Sequence, residues 1–173
     1  MPSLAHAATI HRIEVRAAEA TQTPRPEPVA SGVVRQAQAL GLPLTSCTAR
    51  RVYLIAADLT DAQLDLVARR LLADPVIESA HLGSAAPEPD AAIIEVHPLP
   101  GVMDPAADSV VAAIADLLGI ECEVATGWRY DLVGLSAAQA NLLARTALAN
   151  PVIHRITTSP YHPASFPHGV LRE

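Results

Sequence analysis

The sequence predicts an α+β protein made of two tandem copies of one small module, and three observations lead there. First, Leu72-Ala73-Asp74-Pro75-Val76-Ile77 recurs as Leu148-Ala149-Asn150-Pro151-Val152-Ile153, and self-similarity on this scale marks a repeated structural unit. Around it, Leu59-Thr60-Asp61-Ala62-Gln63 recurs as Leu135-Ser136-Ala137-Ala138-Gln139, Leu40-Gly41-Leu42 as Leu118-Gly119-Ile120, and Ile13-Glu14-Val15 as Ile94-Glu95-Val96. Second, period-two and helical-period stretches alternate in the same order in both halves. Third, half of the 173 residues are apolar but only five are aromatic (one Trp, three Tyr, one Phe). Small aliphatic side chains suit thin layers of helix on sheet.

Each half opens with a strand. Ile13 and Val15 alternate with Arg12, Glu14 and Arg16, and Ile94 and Val96 with Glu95 and His97. A helix follows. In the second copy Asp104 is the N-cap and Pro105 the first helical residue, where a missing N–H costs nothing. Val110, Val111, Ile114, Leu117 and Leu118 share one face, and Gly119 ends the helix. Pro28, Val33, Ala37, Leu40 and Gly41 repeat this plan more loosely. An extended segment comes next, Val52-Tyr53-Leu54-Ile55 or Arg129-Tyr130-Asp131-Leu132-Val133, with Thr126-Gly127 offering a turn that would divide the second into a hairpin.

The second helix starts with a capping box in both copies, Thr60 with Gln63 and Ser136 with Gln139. Its apolar stripe is Leu64, Val67, Ala68, Leu71 and Leu72, or Ala140, Leu143, Ala144, Ala147 and Leu148. Asp74-Pro75 and Asn150-Pro151 end it, because a residue before proline is pushed out of the helical region. A last strand is expected to begin at Val76-Ile77 and Val152-Ile153. The modules then span residues 1–83 and 91–158, joined by a polar, proline-bearing linker at 84–90 and followed by a proline-rich extended arm at 159–173. Each is expected to be an antiparallel sheet with two helices on one face, buried against its own strands, and the two to pair about a pseudo-twofold axis as a pseudo-dimer.

Chemistry-bearing patterns are sparse. The net charge is −6, and all twelve basic residues are arginines scattered along the chain, which gives no footprint for nucleic acid. Residues 1–10 have neither a basic stretch nor a long apolar run, and nothing approaches the ~20 apolar residues of a membrane span, so a cytoplasmic protein without a signal peptide is expected. Cys47 and Cys122, one per half, make no disulfide framework or zinc motif. The seven histidines, His6, His11, His81, His97, His154, His162 and His168, include no i, i+4 pair and no HExxH. Gly-x-Ser-x-Gly and glycine-rich phosphate loops are absent too. Hence no catalytic residue, metal site or cofactor is expected on this chain. Trp128, Arg129 and Tyr130 are instead the residue types of interface anchors.

Pro100-Gly101-Val102-Met103-Asp104-Pro105 heading a helix, Thr126-Gly127-x-Arg129-Tyr130, and Leu148-Ala149-Asn150-Pro151-Val152-Ile153, in that order, resemble PurS. PurS is the small subunit of phosphoribosylformylglycinamidine synthase. The resemblance covers residues 10–157 as two copies and is similar to the duplicated PurS-like N-terminal region of some large-subunit synthases. It implies a non-catalytic bridge in de novo purine (IMP) biosynthesis, between a large ATP-dependent synthetase subunit, which carries ATP and Mg, and a glutaminase subunit. Because only the second copy keeps the lead-in, and because of their residue types, Gly101, Met103, Asp104, Trp128, Arg129 and Tyr130 of that copy are the expected partner interface. Two departures stand out. Residues 17–28, with Pro24, Pro26 and Pro28, replace the Pro-Gly-Val-Met-Asp-Pro lead-in in the first copy, and Trp128 stands where the family commonly has a basic residue. The alternative from another class is a tandem ferredoxin-like regulatory module that binds a small effector between its copies.

Overall fold

The computed structural model describes residues 8–18, 27–164 and 166; Pro24, Pro26, His6 and the end of the arm with His168 lie outside them. The strands are β1 (Ile10–Ala17), β2 (Ser46–Ala56), β3 (Glu78–Leu82), β4 (Ala91–Pro98), β5 (Glu123–Val133) and β6 (His154–Thr157). The α-helices are α1 (Pro28–Ala39), α2 (Asp61–Val67), α3 (Pro105–Leu118) and α4 (Ala137–Leu143). A π-helical turn extends α2 over Ala68–Leu72 and another extends α4 over Ala144–Leu148. The strands form one antiparallel sheet in the order β3-β1-β2-β5-β4-β6. Read outward from its middle, the sheet has the same order in both halves.

Two expectations about the strands are corrected. β2 and β5 are eleven residues each and pair along their whole length, from Ser46 opposite Val133 to Ala56 opposite Glu123. Thr126-Gly127 is therefore no turn. Gly127 sits in mid-strand opposite Val52, and a Cβ there would run into the His97 ring and lie 2.8 Å from the Val96 carbonyl oxygen. Glycine in a strand interior here marks a close approach. Secondly, Val76-Ile77 and Val152-Ile153 precede the edge strands instead of opening them. Asp74 Oδ1 accepts from the Val76 N–H at 2.8 Å and Asn150 Oδ1 from the Val152 N–H at 3.0 Å. These side-chain-closed turns leave Val76 83 % and Val152 80 % exposed. The repeated hexapeptide thus ends in a turn whose Val and Ile add little to the core, while Leu72 and Ala73 are buried and Leu148 and Ala149 pack against the second core.

Local signals held where they were strongest. Both capping boxes form: the Thr60 and Ser136 N–H groups donate to Gln63 and Gln139 at 2.9 Å, and the glutamine N–H groups donate back at 3.3 Å. Asp104 accepts from the Ala107 N–H at 3.0 Å, with Pro105 in the first turn of α3. Gly119 closes α3 at φ +66°, a conformation only glycine adopts freely.

The helices exchange partners between halves. α1 packs on β2 and on the π turn after α4, while α3 packs on β5 and on the π turn after α2. Both cores are therefore mixed. Ile13, Val15, Tyr53, Ile55, Leu64 and Val67 of the first half cluster with Ala107, Ile114 and Val124 of the second. Val33, Ala37, Leu44 and Ala49 cluster with Ile94, Val96, Tyr130, Leu132 and Leu143. Ile114 is fully buried, but among first-half side chains and not against its own half alone, and Leu117 is 42 % exposed.

Candidate functional site

Hydrogen bonds link the segments that carry the family resemblance. The Leu99 N–H donates to the Ile153 carbonyl at 2.9 Å, which ties the lead-in of α3 to the turn before β6. Gly101 turns the chain at φ +84°, and the Val102 N–H closes the loop on the Leu99 carbonyl at 3.0 Å. Met103 is 82 % exposed. Asp104 is fixed from two sides: besides capping α3, it accepts from the Thr126 N–H at 2.9 Å and from the Thr126 hydroxyl. A cleft of about 920 Å3 opens beside the loop, between α3 and the end of β2, with Asp58, Met103, Asp104, Asp108 and Cys122 among its lining.

The expected Trp128-Arg129-Tyr130 anchor is not one surface. Successive side chains in a strand point to opposite faces, so Arg129 leaves on the other side of the sheet from its neighbours. It is fully buried there. Tyr130 is buried in a mixed core, and burial, followed by Cys47 and Glu27, pushes its hydroxyl up to about 12. Trp128 is half-buried, stacked on Tyr130 with ring centroids 6.3 Å apart, and lies opposite Arg51. Of the six interface residues expected, Gly101, Met103 and Asp104 share the loop before α3, Trp128 is half-buried on β5, and Arg129 and Tyr130 serve the interior.

What sequence reasoning missed lies on the sheet face opposite the helices. Arg12, Glu14, Arg50, Glu95, His97, Arg129 and Asp131 are all buried there. Glu14 accepts from Arg12 at 2.7 and 2.9 Å and from Arg129 at 3.1 and 3.2 Å. Glu95 accepts from Arg12 at 2.9 and 3.0 Å and from His97 Nε2 at 2.6 Å. Arg129 also holds Asp131 at 2.8 Å. Burial alone would raise the Glu95 carboxyl; the hydrogen bonds from His97 and Arg12 more than offset it, and the group lies below its ordinary value. Burial would likewise lower Arg129, but Asp131 and Glu14 carry it above its ordinary value.

Linker and arm roof this layer. The Ala85 carbonyl accepts from Arg129 at 2.8 Å, and the Glu88 N–H donates to Asp131 at 3.1 Å. From the arm, the Tyr161 N–H donates to Glu95 at 3.2 Å and its carbonyl accepts from Arg12 at 3.1 Å. The Tyr161 ring lies 5.2 Å from that of His97 and under the Arg155 guanidinium, which also bonds its hydroxyl. Next to it, Tyr161 and Phe166 cover an apolar patch of Val52, Leu54 and Ala125. The signal for this layer was present as charges at period two (Arg12/Glu14, Glu95/His97, Arg129/Asp131), a pattern equally suited to a solvated face.

Burial, with Glu27 and Asp131, pushes the Cys47 thiol up to about 12, and burial raises Cys122 as well, which disfavours the reactive thiolate at both. Among the described residues no group of three His, Cys, Asp or Glu is placed to hold a metal ion, and no helix is long and apolar enough to cross a membrane. No protein-family model and no curated protein matches the chain.

Proposed function

We propose that the chain is a non-catalytic accessory subunit, or the N-terminal domain, of phosphoribosylformylglycinamidine synthase, the glutamine-dependent, ATP-consuming C–N ligase of de novo purine biosynthesis. It acts as a PurS-like pseudo-dimer that bridges the large synthetase subunit, where ATP and Mg bind, and the glutaminase subunit. The observation that carries this reading is a tie between two resembling segments: Leu99, next to residues 100–105, bonds Ile153 at the end of 148–153, and Met103 and Val152 of those segments are both exposed to solvent. Exposed apolar side chains on a braced loop suit docking better than catalysis. The buried charges fit a scaffold, since they are bonded to one another and to the chain's own linker and arm, the Arg50 Nε excepted, which has no hydrogen-bond partner.

The test is reconstitution with candidate synthetase and glutaminase subunits, following glutamine- and ammonia-dependent ATP hydrolysis with formylglycinamide ribonucleotide. The chain alone should turn over nothing, and glutamine-dependent activity of the other two should require it. Met103→Glu combined with Val152→Glu should weaken association by about 2 kcal/mol or more, the range of interface anchors, with unchanged unfolding. Robust turnover by the chain alone, or full activity without it, would contradict the reading.

A further inference from the structure

The cleft beside α3 has a closed counterpart at the opposite end of the β2–β5 pair. Those strands are equally long and pair end to end, so Ser46 and Glu123, each first in its strand, are equivalent positions. Two residues before them stand Leu44 and Glu121, and two residues beyond the strands stand Leu135 and Asp58. Leu44 and Leu135 are each 7 % exposed and belong to the same core. The backbone closes that end as well, for the Thr45 N–H donates to the Val133 carbonyl at 2.9 Å. A Cβ on Gly134 would stand 2.7 Å from the Pro43 carbonyl oxygen, which leaves no room between the two segments.

At the α3 end the counterparts of the two leucines, Asp58 and Glu121, are exposed, and the space beside them is the cleft of about 920 Å3. Two more equivalent positions change in the same sense. Ser31, fourth in α1, is matched by Asp108, fourth in α3, and Ser46 by Glu123. All four acids line the cleft, and no basic side chain is among the described residues that do. Its wall is otherwise aliphatic, with Ala107, Val111, Ile120 and Val124. Asp104 lines it too, but its carboxylate is committed to the N-terminus of α3 and to Thr126.

We infer that this cleft docks a segment of a partner protein in which aliphatic side chains stand next to arginine or lysine. The aliphatic groups take the place that Leu44 and Leu135 fill in the counterpart, and the cations meet four carboxylates that the counterpart lacks. An apolar wall ringed by one sign of charge favours such a segment by attraction and rejects an acidic one by repulsion. The size is at the upper end of ligand sites, about 300–1,000 Å3, and holds several side chains. Exposed Met103 is part of the same lining, so a segment seated here reaches the loop before α3. The partner need not be a synthase subunit, and failure of this inference would leave the reconstitution assay untouched.

Selection of a phage library of random short peptides on the whole chain, with counter-selection on an Asp58→Leu, Glu121→Leu double variant, tests it. That variant gives the cleft the leucines of its counterpart at exposed positions, so it should stay folded. Enriched peptides should carry aliphatic residues next to arginine or lysine, and a synthetic copy should bind wild type saturably in fluorescence polarisation. Asp108→Asn with Glu123→Gln should weaken that copy about tenfold. Ala115→Lys, an exposed position on the lining, should abolish binding. Enrichment of acidic or uncharged peptides, no enrichment that separates wild type from the double variant, or unchanged binding by Asp108→Asn with Glu123→Gln would overturn the inference. Other occupants would overturn it too. A wild-type dimer in sedimentation that the double variant breaks would assign the cleft to a second copy, and enrichment confined to a Leu171→Asp chain would assign it to the chain's own residues 167–173.

Discussion

The two faces of the sheet treat the internal repeat in opposite ways. Ile13 pairs with Tyr53 across β1 and β2 as Ile94 pairs with Tyr130 across β4 and β5, which sets the two halves in register. On the helix-covered face that register matches Ile13 with Ile94, Val15 with Val96 and Tyr53 with Tyr130, with Arg51 against Trp128 as the exception. On the opposite face it matches Arg12 with Ile93, Leu54 with Asp131 and Val52 with Arg129, and of the buried acids only Glu14 keeps a counterpart, Glu95. The reason is what covers each face. Helices α1 to α4 are themselves repeated, so the side chains beneath them have the same task twice. The linker and the arm each occur once, so the strand positions beneath them meet different surroundings in each half. The matching elements lie on the helix-covered side, and the linker and arm, which have no counterpart, lie over the asymmetric face.

The largest effect that would sharpen this contrast belongs to the roofed face. Arg129→Ala leaves Asp131 buried without its main partner and Glu14 with Arg12 as its close one, and should cost about 3–5 kcal/mol, read by denaturant unfolding. On the helix face, Ile114→Ala should cost about 2–5 kcal/mol as a buried aliphatic truncation. Because Ile114 packs among Ile13, Ile55 and Val67, that loss should lower the protection of first-half amides as much as second-half ones. Gly127→Ala adds a methyl against the His97 ring and should cost about 1–3 kcal/mol, the range for overpacking. His97→Ala in the same chain should relieve part of the clash.

A smaller effect is a pH slope. The Glu95 carboxyl lies below its ordinary value in the folded chain, so its contribution is present above the unfolded-state value and is lost as pH falls through the folded one. Wild type should therefore lose stability across that acid window more steeply than Glu95→Gln. Equal slopes would show that the His97–Glu95–Arg12 contacts contribute no proton linkage.

The element order, both capping boxes, the Asp104 cap and the Gly119 stop were all legible in the sequence, since each rests on contacts within a few residues. Partner exchange between the helices was not, because an apolar stripe such as that of Ile114 specifies a buried face without specifying which strands lie beneath it. Gly127 misled because turn and close approach both favour glycine, and only the His97 ring opposite decides between them. The ionic layer was hidden for a related reason. Period-two charges identify a strand face, while its burial depends on residues 84–88 and Tyr161 folding back from 40 or more positions away in several cases, as the Ala85–Arg129 contact does across 44. At the site, the lead-in loop was legible as a motif, but the strand pleat separates Arg129 from Trp128.

The central claim is that the two halves are one cooperative body, with both hydrophobic cores shared between them. Native-state hydrogen exchange across a denaturant series tests it most directly. The amides of β1 and β2 and those of β4 and β5 should lose protection together, at one opening free energy equal to that of global unfolding. Loss of protection in one half at clearly lower denaturant, with the other half still closed, would contradict it and make the chain two independent modules on a string.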